Sequence, residues 1–259
     1  MARYLVRRVL QAILVLIGVS IIAFILRALI PGNLAKYLDP HAGPIQIRAI
    51  DHQLGLDRPL YVQYWKFVVA LVHGNLGHSY YYNQSVNSLL GHEWPRDVIL
   101  IGISLALSVV VAIPVGLLQA VKRNSAGDYI GAVVAFFFYA IPDFVLGVVL
   151  VSFLAIDVHV FPATAPDGSV GNVIVHFFPG LVLPLATEIL VGYAAFSRYM
   201  RSSAIDTLTQ DYVRTARAKG LSGRQVVTRH VLRNSLIPMA TLIGLSVPAI
   251  LTSGLLIES

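Results

Sequence analysis

Val9 to Ile30 reads VLQAILVLIGVSIIAFILRALI, an unbroken apolar run whose one charge, Arg27, lies near its far end. A helix needs about 20 predominantly apolar residues to cross a hydrocarbon core about 30 Å thick, so this stretch is long enough to span a bilayer. It exceeds the about 7–15 apolar residues of a cleaved signal peptide and has no A-x-A site behind it, so it reads as a signal anchor. Four more stretches meet the same standard: about Val98 to Val121, Ile130 to Ile156, Phe178 to Phe196 and Leu236 to Ile257. The fold class this implies is all-α, a polytopic membrane protein with about five transmembrane helices.

The composition agrees. Of 259 residues, 56% are hydrophobic and 12% charged, with a mean hydropathy of +0.73. Soluble domains carry about 25% charged residues, so the charge density is about half theirs. That excludes a disordered chain, a coiled coil and an ordinary cytosolic enzyme. The 20 Gly and 13 Pro suit membrane helices, which tolerate both. With no Cys, a disulfide framework, a thiolate metal site and a Cys nucleophile are all excluded.

Lys and Arg in short loops set orientation. Arg3, Arg7 and Arg8 precede the first span, Lys122 and Arg123 follow the second, and eight basic residues lie between the fourth and fifth. Asp157 to Phe177 has none. The alternation places residues 1–8 in the cytoplasm, with 9–30 as the first span, 31–96 outside and 97–259 as a transmembrane core. The odd number of spans leaves Ser259 outside.

Segment 31–96 opens with Pro31-Gly32, a helix stop, and is rich in aromatics and His. Within it Leu60 to Val72 is apolar for only 13 residues, which suits a short interfacial or re-entrant helix. Tyr61, Tyr64 and Trp65 fit an aromatic belt at headgroup level. The segment is either a docking surface for an external protein or a lid on the spans. Seven of the eight His fall on this predicted outer side, but no pair has the i, i+4 spacing that puts two ligands on one helix face. No metal site is expected.

Ser104, Ser108, Ala112 and Gly116 recur every fourth residue of the second span, a stripe that lets another backbone approach closely. The stripe suits packing within the chain, with a subunit interface as the alternative. Asp143 and Glu188 lie inside apolar spans. An intramembrane charge costs at least about 2.5–3.5 kcal/mol, so both are candidate pathway residues, or carboxyls hydrogen-bonded within the bundle.

The segment Arg198 to Pro238 reads RYMRSSAIDTLTQDYVRTARAKGLSGRQVVTRHVLRNSLIP. Helix formers run from Tyr212 to Lys219, Gly220 breaks the run, and Ser222 can cap a second helix through Arg233. A nucleic-acid helix-turn-helix does not fit, because a span tethers each end. A plain positive-inside loop would not need so ordered a pattern.

DYVRTARAKGLS followed by RHVLRNSLIP resembles the signature of the integral-membrane subunits of binding-protein-dependent ABC importers, nearest the dipeptide/oligopeptide permease group, with its nickel permeases. RYLVRRVLQAI, LGLDRPLYVQYWKFV, GNLGHS at Gly74 to Ser79, AIPDFVLG and the terminal GLLIES agree in order. The resemblance implies type I permease architecture in the cell (inner) membrane of a bacterium or archaeon. It also implies a coupling loop, 198–236, whose first helix seats in a groove on a cytoplasmic ATPase. Asp211, Tyr212, Arg214, Thr215, Ala216, Arg217, Ala218, Lys219, Gly220 and Leu221 are its expected contact residues. In the general family pattern E-A-A-x-x-x-G, Arg214, Thr215 and Ala216 hold the first three places and Gly220 the last. Arg214 thus replaces the family glutamate, as R-T-A-R-A-K-G commonly does in the peptide group. Ala216 and Ala218 are expected to keep the helix slim at the groove.

The implied function is a subunit without catalysis of its own, forming part of a pathway for uptake of di- or oligopeptides. The alternative is a permease for nickel or another small solute. The implied partners are a second permease, two ATPases, an external substrate-binding protein and the bilayer; no nucleic acid is implied. The chain has no G-x-x-x-x-G-K-[ST], so ATP is expected on partner subunits and no cofactor on this one. H-E-x-x-H and G-x-S-x-G are likewise absent from the sequence. Family members continue into a PGxG-like stretch and a sixth span, so the chain is expected to end earlier than its relatives.

Overall fold

The computed structural model describes residues 2–29, 43–79, 82–163 and 178–257. The Pro31-Gly32 stop and the final Glu258-Ser259 lie outside them. The chain divides into two units, Met1–Gly91 and His92–Ser259.

In the first unit, α1 (Ala2–Leu29) is followed by two short helices, α2 (Pro44–Leu54) and α3 (Leu60–Val72), and a two-residue antiparallel hairpin, β1 (His78–Ser79) with β2 (Gln84–Ser85). Gly55 ends α2 at φ 68°, a left-handed position that glycine adopts without strain. Gln63 on α3 donates to the Leu56 and Arg58 carbonyls and so pins the turn between the helices. The Tyr64 hydroxyl lies 2.9 Å from Ser20 Oγ on α1, and its ring meets Phe24 edge-on at 5.4 Å. Tyr61 and Trp65 stay exposed, as an aromatic belt requires. The short helix expected at Leu60 to Val72 is present with those bounds.

The long helix α4 (Val86–Val121) begins well before the expected Val98, because residues 86–97 continue the helix as a polar extension. A tight turn leads to α5 (Ala126–Ala140), where Ser125 Oγ caps the Asp128 N–H.

The third expected span, Ile130 to Ile156, is not one straight helix. It breaks after α5, and α6 (Asp143–Leu150), prolonged by a π-helical stretch Val151–Asp157, leaves at 100°. Pro142 lacks an N–H and pushes its predecessor out of the helical region, which is where Ile141 sits at φ −84°, ψ 128°.

Helix α7 (Phe178–Leu208) extends past the expected Phe196 through Arg198 and Arg201. Helices α8 (Asp211–Ala218) and α9 (Gly223–Val226) follow; a π turn, Val227–Val231, carries α9 into α10 (Leu232–Ile257) without a break. The non-helical part of the expected loop 198–236 therefore shrinks to the two connections at 209–210 and 219–222. Among the described residues four helices are long and apolar enough to cross a membrane, and five if the bent α5–α6 pair counts as one.

The second unit is built around α7. One buried cluster, Ala112, Phe196, Met200 and Met239, joins α4, α7 and α10. Ser104, Ser108, Ala112 and Gly116 are all buried within this chain. Ser108 Oγ donates to the Ile189 carbonyl at 3.1 Å, and a side chain at Gly116 would collide with the Ser197 carbonyl and Met200. The small-residue stripe is thus the seat of α7, the within-chain reading, and it is not free to meet another subunit.

Candidate functional site

The sequence between α7 and α10 folds as expected locally. Ser222 and Gln225 form a capping box: Ser222 N–H donates to Gln225 Oε1 at 3.0 Å, and Gln225 N–H to Ser222 Oγ at 3.4 Å. Gly220 reverses the chain at φ 81°. There the Gly220 and Leu221 N–H groups donate back to the Arg217 and Ala216 carbonyls, closing the end of α8.

Helix α8 has two unlike faces. Val213 and Ala216 point inward into a second buried cluster with Ala120 at the end of α4, Ala204 on α7, Val226 on α9 and Val231 in the π turn. Leu221 packs against the same cluster. Asp211, Tyr212, Arg214, Thr215, Arg217, Ala218, Lys219 and Gly220 are exposed. The expected contact residues thus separate: Ala218 lies on the open face, whereas Ala216 is small because it seats against its own chain.

The open face is cationic. Arg214 reaches Asp211 only at 3.6 Å, with both side chains mostly exposed, so the pair adds little. Arg217 and Lys219 add two more positive charges.

Beneath α8 the span ends are locked by hydroxyls. Ser235 Oγ on α10 donates to Thr207 Oγ1 on α7 at 3.0 Å, Thr207 donates to the Ser203 carbonyl, and Ser203 Oγ donates to the Ser235 carbonyl. Each buried hydroxyl is thereby partnered, which makes the contact between the two spans specific. A hollow of about 430 Å³ opens beside it, lined by Tyr199, Asp206, Thr207, Tyr212 and Asn234 among others.

A bidentate ion pair holds the α5–α7 contact at the same end. Arg201 Nε donates to Asp128 Oδ1 at 2.6 Å and Arg201 Nη2 to Oδ2 at 2.8 Å, while the Asn124 N–H donates to Oδ2 at 3.0 Å. The sequence reading missed this pair. Ser125-x-x-Asp128 carried a capping signal, but nothing local tied Asp128 to a residue 73 positions away.

The candidate pathway residues lie apart from this end. Asp143 is exposed in the first turn of α6, directly after the Pro142 break, and Glu188 is half-buried on α7. Their helices are in contact, since α6 packs on α7 with Gly147 against Thr187.

A basic, capped helical element thus rests on the ends of several apolar helices, and the sequence that builds it is similar to known proteins. Residues 112–259 match the binding-protein-dependent transport system inner membrane component, and residues 1–106 match the N-terminal part of the corresponding membrane component. The chain belongs to the family of inner-membrane components of binding-protein-dependent transport systems. It is 36% identical to a Brucella ovis protein named as a peptide permease, over all of this chain and 83% of that one. It is 32% identical to the oligopeptide transport system permease protein of Bacillus subtilis, again over all of this chain and 83% of that one. With the dipeptide transport system permease protein of Lactococcus lactis it shares 33% over all of this chain and 82% of that one.

Proposed function

We propose that this chain is one permease subunit of an ABC importer that takes up short peptides. It forms half of the membrane pathway with a second permease, and two cytoplasmic ATPases drive it. The peptide substrate rests on the names of the three relatives; the coupling role rests on the two faces of α8. Residues 1–8 and the α7–α10 connection are on the cytoplasmic side in this reading, in keeping with their Arg and Lys content. The described part of segment 31–96 then faces outward, where a substrate-binding protein would dock.

The observation that carries the mechanism is the inner face of α8. Val213 and Ala216 touch the ends of α4 and α7 and the entry to α10 within one buried cluster. Packed interiors have low compressibility, so a displacement of α8 moves those span ends together. An ATPase groove that grips the exposed Asp211, Arg214, Thr215, Ala218 and Lys219 would pull on the pathway through that cluster. Hydrolysis belongs to the partners, since this chain has no phosphate-binding loop of its own. Asp143 and Glu188 would line the route, offering carboxylates to a peptide ammonium group.

The test is reconstitution. The chain alone in liposomes should hydrolyse no ATP and take up no peptide. Adding the second permease, the ATPases and the binding protein should give ATP-dependent uptake of a labelled di- or tripeptide. Uptake by the chain alone would overturn the proposal.

A further inference from the structure

A second hollow, of about 440 Å³, lies between α5 and α7 and is lined by Gln119, Tyr129, Val133, Phe136, Arg198 and Arg201 among others. It sits at the coupling-loop end, because Gln119 adjoins Ala120, which packs against Val213 and Ala216. Two of its polar groups stand out. Gln119 is only 6% exposed, yet its Nε2 has no hydrogen-bond acceptor among the described residues. Arg198 is exposed and has no carboxylate partner among the described residues; its guanidinium lies over the rings of Tyr139 at 4.6 Å and Phe136 at 6.0 Å. Arg201, by contrast, has a bidentate carboxylate partner in Asp128.

Gln119 and Arg198 thus put two donor groups in the lining of the hollow, where the Tyr129 hydroxyl is the remaining uncommitted polar group and no carboxylate stands among the described lining residues. A buried donor without a partner is costly, and a lone cation in an apolar span end needs a counter-charge. The fitting ligand is an anion with several oxygens spaced for a guanidinium, which describes a phosphate. Beyond Tyr129 the α5 wall is apolar, with Ala132, Val133 and Phe136, and both Val133 and Phe136 are more than half exposed. Exposed Lys122 and Arg123, on the turn into α5, add positive charge close by, and Arg123 is near enough to act on Asp128. A headgroup in the hollow with its acyl chains along α5 satisfies both the donors and the apolar wall. Basic pockets between membrane helices on the cytoplasmic side are where anionic headgroups bind.

We infer that the α5–α7 hollow holds the phosphate headgroup of an anionic phospholipid from the cytoplasmic leaflet, with Arg198 and Gln119 as its donors. The inference uses the cytoplasmic placement of this end and is independent of which solute is carried. The test puts the full chain in phosphatidylcholine nanodiscs doped with a photoactivatable phosphatidylglycerol, and maps the label by mass spectrometry. Label should concentrate on residues 126–140. Arg198→Gln should cut it about fivefold, the effect of one basic residue at an anionic membrane surface. Gln119→Leu should reduce it less, and Arg233→Gln, an exposed control, not at all. Inorganic phosphate should not compete. Equal labelling by a photoactivatable phosphatidylcholine, or label insensitive to Arg198→Gln, would overturn the inference. So would competition by inorganic phosphate, which indicates a free anion, or loss of the label when the second permease is bound, which indicates a protein contact.

Discussion

Helices α1 and α7 are both long enough to cross a membrane, yet the chain treats them differently. In the most apolar stretch of α1 only 6% is buried, against 39% in α7. Helix α7 is the hub of its unit, with α5, α6 and α10 packed on it and α4 seated against it through the Ser108 and Ala112 stripe. Along α1, Ser20 and Phe24 meet α3, while most of the remaining apolar side chains are exposed. A helix that its own unit leaves bare is stable only where lipid or other protein covers it. The lesson is a division of labour: α7 holds its own unit together, whereas α1 offers most of its surface to whatever covers its unit.

Substitutions on the two helices should widen that contrast. The largest effect is expected at the α5–α7 ion pair. Asp128→Ala leaves Arg201 without its bidentate partner in a mostly buried site. The expected loss is about 3 kcal/mol, the low end for a broken buried pair because Arg201 keeps 30% of its side chain exposed. Unfolding by steric trapping in bicelles would measure it, and an unchanged stability would remove α5 from the core.

Next comes Gly116→Val, which drives a side chain into the Ser197 carbonyl and Met200 and should destabilise by about 1–3 kcal/mol. The matched change on α1, Gly18→Val, meets nothing within 4 Å, and its effect on this chain alone should stay within about 0.5 kcal/mol. Equal effects at Gly116 and Gly18 would break the comparison. A Gly18→Val chain that is stable alone but assembles poorly would sharpen it, by showing that a partner covers α1.

How much of this was legible in the sequence follows from the range of the forces involved. Local signals are legible: the apolar stretches that become long helices, though not their ends, the 13-residue helix at Leu60, the Ser222 cap and the Gly220 turn. The stripe from Ser104 to Gly116 also named its own role, because small residues at one spacing signal close packing wherever their partner lies. The break at Pro142 was there to be read, since Ile141-Pro142 disfavours a helix, but an apolar run through it hid the bend. The Asp128–Arg201 pair and the unpartnered Gln119 depend on contacts between distant segments, and in the sequence Arg198 and Arg201 read only as two of the eight basic residues that set orientation. The inward turn of Ala216 was out of reach for the same reason: composition shows that α8 has a slim face but not which body that face meets.

The central claim is that the exposed face of α8 grips an ATPase while its buried face grips the spans. Ala218→Trp tests it most directly, because Ala218 is exposed and a bulky side chain there leaves the chain's own core intact. In the reconstituted importer at matched membrane levels, Ala218→Trp should abolish peptide uptake and uncouple ATP hydrolysis from it, with the stability of the isolated chain unchanged. Arg217→Ala should weaken uptake only partly, since an exposed charge contributes about 0–1 kcal/mol. If Ala218→Trp transports like the parent, α8 is not the coupling element.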